Sequence, residues 1–163
     1  MEKNTTCIDC GKNVTYTTKK PHRCPSCVEK FKYMNSKIPH SRSKLEYVVQ
    51  EWLDELFISK GYNYIANGFY SWIRSPKDKA LQLDFLLYSS KGFHFAIEID
   101  GKQHYQQLFY QTEQAFNYLH DCDILKSRAL RSRKIPLVRM KEKEEEWTKE
   151  DFIELLNQYG IQL

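Results

Sequence analysis

FAIEIDGKQHY, residues 95–105, is the stretch on which the fold turns. Phe95, Ile97 and Ile99 alternate with Ala96, Glu98 and Asp100, the period-two pattern of a half-buried strand. Glu98 and Asp100 therefore leave the strand from one face, and Gly101 ends it before Lys102, Gln103 and His104. Upstream, LQLDFLL (residues 81–87) alternates in the same way, with Leu81, Leu83, Phe85 and Leu87 on one face and Gln82, Asp84 and Leu86 on the other. The second strand matches it with Phe93, Phe95, Ile97 and Ile99 on its apolar face. A three-residue loop, Ser90-Lys91-Gly92 with the glycine left-handed, would pair Ser89 with Phe93 and, counted inward, Asp84 with Glu98. Opposed Cβ atoms lie about 4.5–5.5 Å apart, where two carboxylates repel unless a divalent metal lies between them. Removing one charge, as in Glu98→Gln, is then expected to leave the metal-free protein as stable as before or more so.

The flanking segments give the order of elements. Leu45, Val48, Val49, Trp52, Leu53 and Leu56 recur at helical spacing, and Ser43-x-x-Glu46 fits a capping box at the start of that helix. Residues 62–73 read as an aromatic strand interrupted at Asn67-Gly68. After the hairpin, Thr112 can cap a long helix to about Arg133, with Ala115, Leu119, Cys122, Leu125 and Ala129 as its buried stripe and Lys126 near the stripe's edge, where a lysine ordinarily reaches outward to solvent. IPLVRM (residues 135–140) is a strand that a helical crossover makes parallel to its neighbour, and Thr148 opens a last helix carrying Phe152, Leu155, Leu156 and Tyr159. The expected class is α/β, with a mixed sheet of α+β character.

Four of five cysteines are organised. Cys7-x-x-Cys10 and Cys24-x-x-Cys27 stand thirteen residues apart, close to the spacing of a four-thiolate zinc site, with Gly11 and Pro25 supplying turn chemistry. NVTYTT and KKPH between the pairs read as a small hairpin, so residues 1–30 form a zinc ribbon that needs its metal to stay folded. His22 reads as a surface histidine. Residues 31–43 read as a basic linker and residues 44–163 as the main domain.

Charge is uneven along the chain. Through Lys44 there are ten Lys and Arg against three Asp and Glu, and beyond it fifteen against eighteen. A basic N-terminal third suits a polyanion, with Lys19, Lys20, Arg23, Arg42 and Lys44 as candidate nucleic-acid contacts; Arg128, Arg131, Arg133 and Lys134 form a second basic cluster. No apolar run approaches the roughly 18–20 residues of a spanning helix, and no secretory signal is legible, so an intracellular, cytoplasmic protein is the expectation.

The order of elements, with acids at Glu46, Asp84 and Glu98 and the wording LDFLL, FAIEIDGKQHY and HDCDILKSRALRSRKIPLVRM, resembles the PD-(D/E)XK nuclease superfamily, near its very-short-patch-repair and phage homing endonucleases. The resemblance covers roughly residues 43–140. It implies a restriction-endonuclease-like αβββαβ core and a metal-dependent DNA endonuclease, of homing, restriction or repair type, in a phage or a cell. Glu46, Asp84 and Glu98 would hold Mg²⁺ or Mn²⁺, with Asp84 and Glu98 as direct ligands, and two copies pairing on DNA is an arrangement open to such an enzyme. The chain departs from the pattern at two places: Leu83, not proline, precedes Asp84, which matters little, and Asp100 stands where the motif lysine is expected. Proton handling would then fall to His104 with Asp121 or Asp123, or to Lys102 or Lys126, and the position of His104 directly after the strand favours it over Lys126. The rivals are a DNA-binding protein on a nuclease fold that no longer cuts, and a structure-selective junction nuclease.

Overall fold

The computed structural model describes residues 2–18, 21–28, 43–108 and 111–163. Lys19, Lys20 and Arg42 lie outside the described residues, as does nearly all of the expected linker. Strands β1 (Lys3–Thr6) and β2 (Asn13–Tyr16) form one small sheet; α1 (Lys44–Phe57), β3 (Asn63–Arg74), β4 (Ala80–Ser89), β5 (Gly92–Asp100), α2 (Glu113–Ser132), β6 (Leu137–Lys141) and α3 (Lys149–Gln158) build the rest. The large sheet has the order β3-β4-β5-β6, antiparallel except for the parallel pair β5–β6. The fold is a mixed α+β one with a four-stranded mixed sheet, and β6 is parallel because α2 carries the chain back across the sheet.

One sheet face is closed by α1 and α3. Val49, Leu53 and Phe57 of α1 and Phe152 and Leu156 of α3 bury Phe85, Leu87, Phe95, Ile97, Val138 and Met140. Both helices start with capping boxes, Ser43 with Glu46 and Thr148 with Asp151, each satisfying amides that a helix start leaves without partners. The other face meets α2 through Leu130 and Ala129 and meets Ile8 of the cysteine-rich segment. The start of α2 is not engaged: Cys122 and Leu130 are buried, whereas Ala115, expected inside, is exposed.

Three details differ from the expected hairpins. The β4–β5 turn has two residues between the paired Ser89 and Gly92, and the register then slips by one between Tyr88↔Phe93 and Leu87↔Phe95, which leaves His94 as the extra residue. This bulge restores the inner register, Phe85↔Ile97, so Asp84 still falls opposite Glu98, but it turns Phe93 onto the face of Ala96. Gly92 has φ +110°, a conformation L side chains rarely adopt. Second, β3 runs through Asn67-Gly68 without ending; Asn67 has φ 53°, opposite the Asp84 position, and beyond it Leu81 and Leu83 pack with Tyr70 and Ile73, not with Phe85 and Leu87. Gly68 admits no side chain, since a Cβ there would lie 2.7 Å from the Tyr70 hydroxyl. Third, NVTY pairs backwards with KNTT, so the small hairpin encloses the first cysteine pair instead of lying between the two pairs. The Cys7–Cys10 knuckle is itself its turn, with Gly11 donating to the Cys7 carbonyl and Cys7 to the Lys12 carbonyl.

Candidate functional site

The strand pattern delivers its carboxylates to the face covered by α2, and the neighbouring backbone holds them there. Asp84 donates its amide to Glu98 Oε1 at 3.2 Å, and Ile99 donates its amide to Asp84 Oδ2 at 2.7 Å. The two side chains are thus fixed by each other's strands. Glu98 is 2% exposed, and its second oxygen, Oε2, lies 2.5 Å from the Lys126 ammonium. Lys126 is turned inward, not outward as its helical position suggested. Burial pulls its pKa down, but Glu98, Asp84 and Asp123 overcome this and hold it above the ordinary lysine value.

Asp84 is raised to about 7. Burial is the main cause, and the Glu98 charge adds to it; the Ile99 amide and Lys126 oppose, and Glu46 contributes a smaller upward push. Among the described residues Asp84 Oδ1 accepts no hydrogen bond. Asp84 and Glu98 offer oxygen atoms of the kind a hard divalent cation takes, but both Glu98 oxygens are engaged, by the Asp84 amide and by Lys126, which leaves Asp84 Oδ1 as the oxygen with no protein donor. Glu46 is spoken for in part. Its Oε1 closes the capping box on the Ser43 amide, and its Oε2 accepts from Asn67 Nδ2 at 3.4 Å, while Asn67 Oδ1 accepts from Gln82.

One strand-end further, a second cluster forms around Asp100, which is 4% exposed. Arg139 Nη1 donates to both Asp100 oxygens at 2.8 Å and lies 3.8 Å from Asp123. His104 Nδ1 is 2.8 Å from Asp123 Oδ2 and 4.0 Å from Asp100. The hydrogen bond from Asp123 raises the His104 pKa despite burial, which opposes. Burial acts against Asp123 as well, yet His104, Arg139 and Lys126 bring its carboxyl below the usual range. An ionised Asp123 makes Nδ1–H the donor and leaves Nε2 as the nitrogen able to accept a proton. Asp100, His104 and Asp123 come within 4.8 Å of one another, and Arg139 pairs with both acids.

The structure therefore brings together Asp84, Glu98, Lys126, Asp100, His104 and Asp123. Asp121 and Lys102 are exposed and outside the cluster. Arg139 is the residue that sequence reasoning missed: its partner became visible only through the parallel register Glu98↔Arg139. The pairing also corrects the stability expectation for Glu98→Gln. The charge removed would be the counterion of a buried ammonium, so the substitution should destabilise.

The four cysteines Cys7, Cys10, Cys24 and Cys27 have sulfurs within 4.8 Å of one another, and Cys10 and Cys24 are 3.6 Å apart. A tetrahedron with zinc–sulfur bonds of about 2.3 Å has edges near 3.8 Å, so the cluster is compatible with one zinc. The Ser26 hydroxyl and the Cys27 amide lower the Cys24 thiol to about 6. Arg23 is not a surface contact. Its guanidinium is bound to Asp9 at 2.7 Å and to the Phe69 carbonyl at 2.6 Å, and it lies beside the Tyr70 ring. His22 Nδ1 meets the Tyr88 hydroxyl at 2.8 Å. Lys44 is exposed and pairs with Glu146.

No protein-family model, curated protein or solved structure matches the chain. No helix among the described residues is long and apolar enough to cross a membrane.

Proposed function

We propose that this chain is a metal-dependent DNA endonuclease of the PD-(D/E)XK type, with a zinc ribbon docked on its nuclease core. One observation carries the reading: half-buried Asp84 and buried Glu98 oppose each other on adjacent strands, clamped by backbone amides, with the Lys126 ammonium 2.5 Å from Glu98. The positive charge missing at Asp100 is supplied from α2. Asp84 and Glu98 would hold Mg²⁺ or Mn²⁺, whose chemistry at such a site is to make water a usable nucleophile at neutral pH and to offset charge gathering on the phosphate oxygens. Lys126 adds a fixed positive charge beside those carboxylates. Through Nδ1–H, Asp123 orients His104, whose Nε2 takes the proton from the attacking water. Arg139 holds Asp100 and Asp123 in place.

The test is cleavage of supercoiled plasmid with Mg²⁺ or Mn²⁺ against a chelator control, with nicked and linear products distinguished. Wild type should cut only with metal, and Asp84→Asn should fall to background. Absence of cutting on plasmid and branched DNA with either metal, or undiminished cutting by Asp84→Asn, would overturn the reading.

A further inference from the structure

Three basic residues without an ion pair stand together on one side of the molecule. Arg128, Arg131 and Lys134 are exposed and form no ion pair among the described residues. They line two adjoining hollows between α2 and the edge strand β6, of about 400 Å³ and 510 Å³, with Arg131 and Arg139 common to both. The first hollow reaches His104 and Asp123, and Lys141 lines its wall. The only carboxylates lining the groove are Asp100 and Asp123, both already engaged by Arg139 and His104. The groove therefore presents an excess of positive charge that starts at the proposed proton acceptor and leads away from it.

Its two ends carry aromatic rings. Tyr105 lines the first hollow and Tyr159 the second; they are 43% and 41% exposed, two of six large apolar side chains that are exposed among the described residues. Tyr105 is held in place, its hydroxyl donating to the Glu142 carbonyl at 3.0 Å. Arg128 and Arg131 stand three residues apart, on one face near the end of α2, and Lys134 follows just past the end of the helix. A cationic track with exposed rings at its ends suits a strand whose bases are free to stack, since a duplex keeps its bases stacked on each other.

Resting on the nuclease reading above, we infer that the groove between α2 and β6 binds the sugar–phosphate backbone of an unpaired DNA strand, with Arg128, Arg131 and Lys134 on phosphates and Tyr105 and Tyr159 stacking bases. The substrate class is then DNA with a single-stranded segment at the cut site, such as a flap, bubble or junction, in preference to plain duplex.

Fluorescence anisotropy with labelled single strands of roughly 16 nucleotides and the matching duplex tests this on the zinc-loaded protein, with Mg²⁺ and Mn²⁺ left out to prevent cutting. Wild type should bind the single strand more tightly than the duplex. Arg128→Ala/Arg131→Ala should lose about tenfold or more in affinity and flatten the log–log salt slope by about 1.4, the counterion release of two single-strand phosphate contacts. Tyr105→Ala and Tyr159→Ala should each weaken single-strand binding about fivefold or more, with the duplex unaffected. Unchanged affinity and slope in the double-arginine variant would overturn the groove. Equal binding of duplex, with both tyrosine variants silent, would overturn the choice of strand. Plasmid and flap cleavage by wild type, run alongside, separates the two readings: cutting with silent groove variants fails the groove alone, and groove-dependent binding without any cutting fails the nuclease alone.

Discussion

At the scale of single residues, Asp84 and Glu98 look alike in sequence and behave oppositely in place. Glu98 neutralises Lys126, so Glu98→Gln leaves a buried ammonium without its counterion and should lower stability by about 3 kcal/mol. Asp84 has no such partner and is held up to about 7 by burial and by Glu98. Between the ordinary carboxylate range and pH 7 the unfolded chain has released this proton while the folded one keeps it. Stability from this group is therefore lost as pH rises through that window, and Asp84→Asn should be more stable than wild type at pH 8 by about 2 kcal/mol, with little difference at pH 4. Thermal or urea unfolding at the two pH values checks both variants, and a destabilised Asp84→Asn at pH 8 would contradict the electrostatic account. Mg²⁺ should raise the wild-type Tm at pH 8 and leave Asp84→Asn nearly unmoved. The His104 pKa is also raised, in this case by the hydrogen bond to Asp123. As a general base His104 must be neutral, so the cleavage rate should climb with pH through a value above the ordinary histidine range, and Asp123→Asn should shift that limb to lower pH. His104→Ala should cost about 10²-fold or more in single-turnover rate. The two acids and the histidine were legible because strand alternation and the loop after Gly101 fix their neighbourhood. Lys126 and Arg139 were not, because their partners depend on how α2 rotates and how β6 registers.

Elements were legible wherever a local rule decides them. The capping box at Ser43, the helix starts at Thr112 and Thr148 and the alternation of Phe85 and Leu87 in β4 and of Phe95 and Ile97 in β5 are chemistry within a few residues, and each stands as read, whereas Leu81, Leu83 and Phe93 join the other face. The bulge at His94 was not legible: a three-residue loop, and a two-residue turn followed by one extra residue, give the same register at Asp84 and differ only in where Phe93 points. Nor could the sequence show that the cysteine-rich segment docks. Ile8 in the second core cluster, Arg23 on the Phe69 carbonyl and His22 on Tyr88 tie it to β3 and β4. Metal bound there should stabilise more than the ribbon. Elemental analysis should return close to one zinc per chain, and Cys24→Ser should speed amide exchange in β3 around Phe69 as well as in the ribbon. Exchange confined to residues 2–28 would mean that the docking contributes nothing. Arg23→Ala should cost about 3 kcal/mol, because it takes the guanidinium away from the Asp9 carboxylate, whose side chain is 1% exposed.

Across the whole molecule the four-stranded sheet separates two tasks. Its α1/α3 face is apolar and holds the molecule together, and its α2 face carries the buried acids with the cations that balance them. The division follows from β5, whose even-numbered residues past the bulge are Ala96, Glu98 and Asp100 and whose odd-numbered ones are Phe95, Ile97 and Ile99. A cavity on the first face should therefore affect stability without reaching the chemistry. Phe152 of α3 is fully buried, stacked on Trp52 with ring centres 5.5 Å apart, and lies on the opposite side of the sheet from Lys126. Phe152→Ala removes most of a large side chain from a closed core, a change that costs about 3–5 kcal/mol where the surroundings cannot collapse. In a chain of this length that lowers the Tm by roughly 10 °C. The carboxylates keep their backbone clamps and Lys126, so the folded fraction should retain the wild-type rate and the wild-type metal requirement. Single-turnover cleavage of a flap substrate well below the lowered Tm, normalised to folded protein by circular dichroism, makes the comparison. A rate reduced tenfold or more in fully folded Phe152→Ala would mean that strain crosses the sheet and that the two faces are not independent.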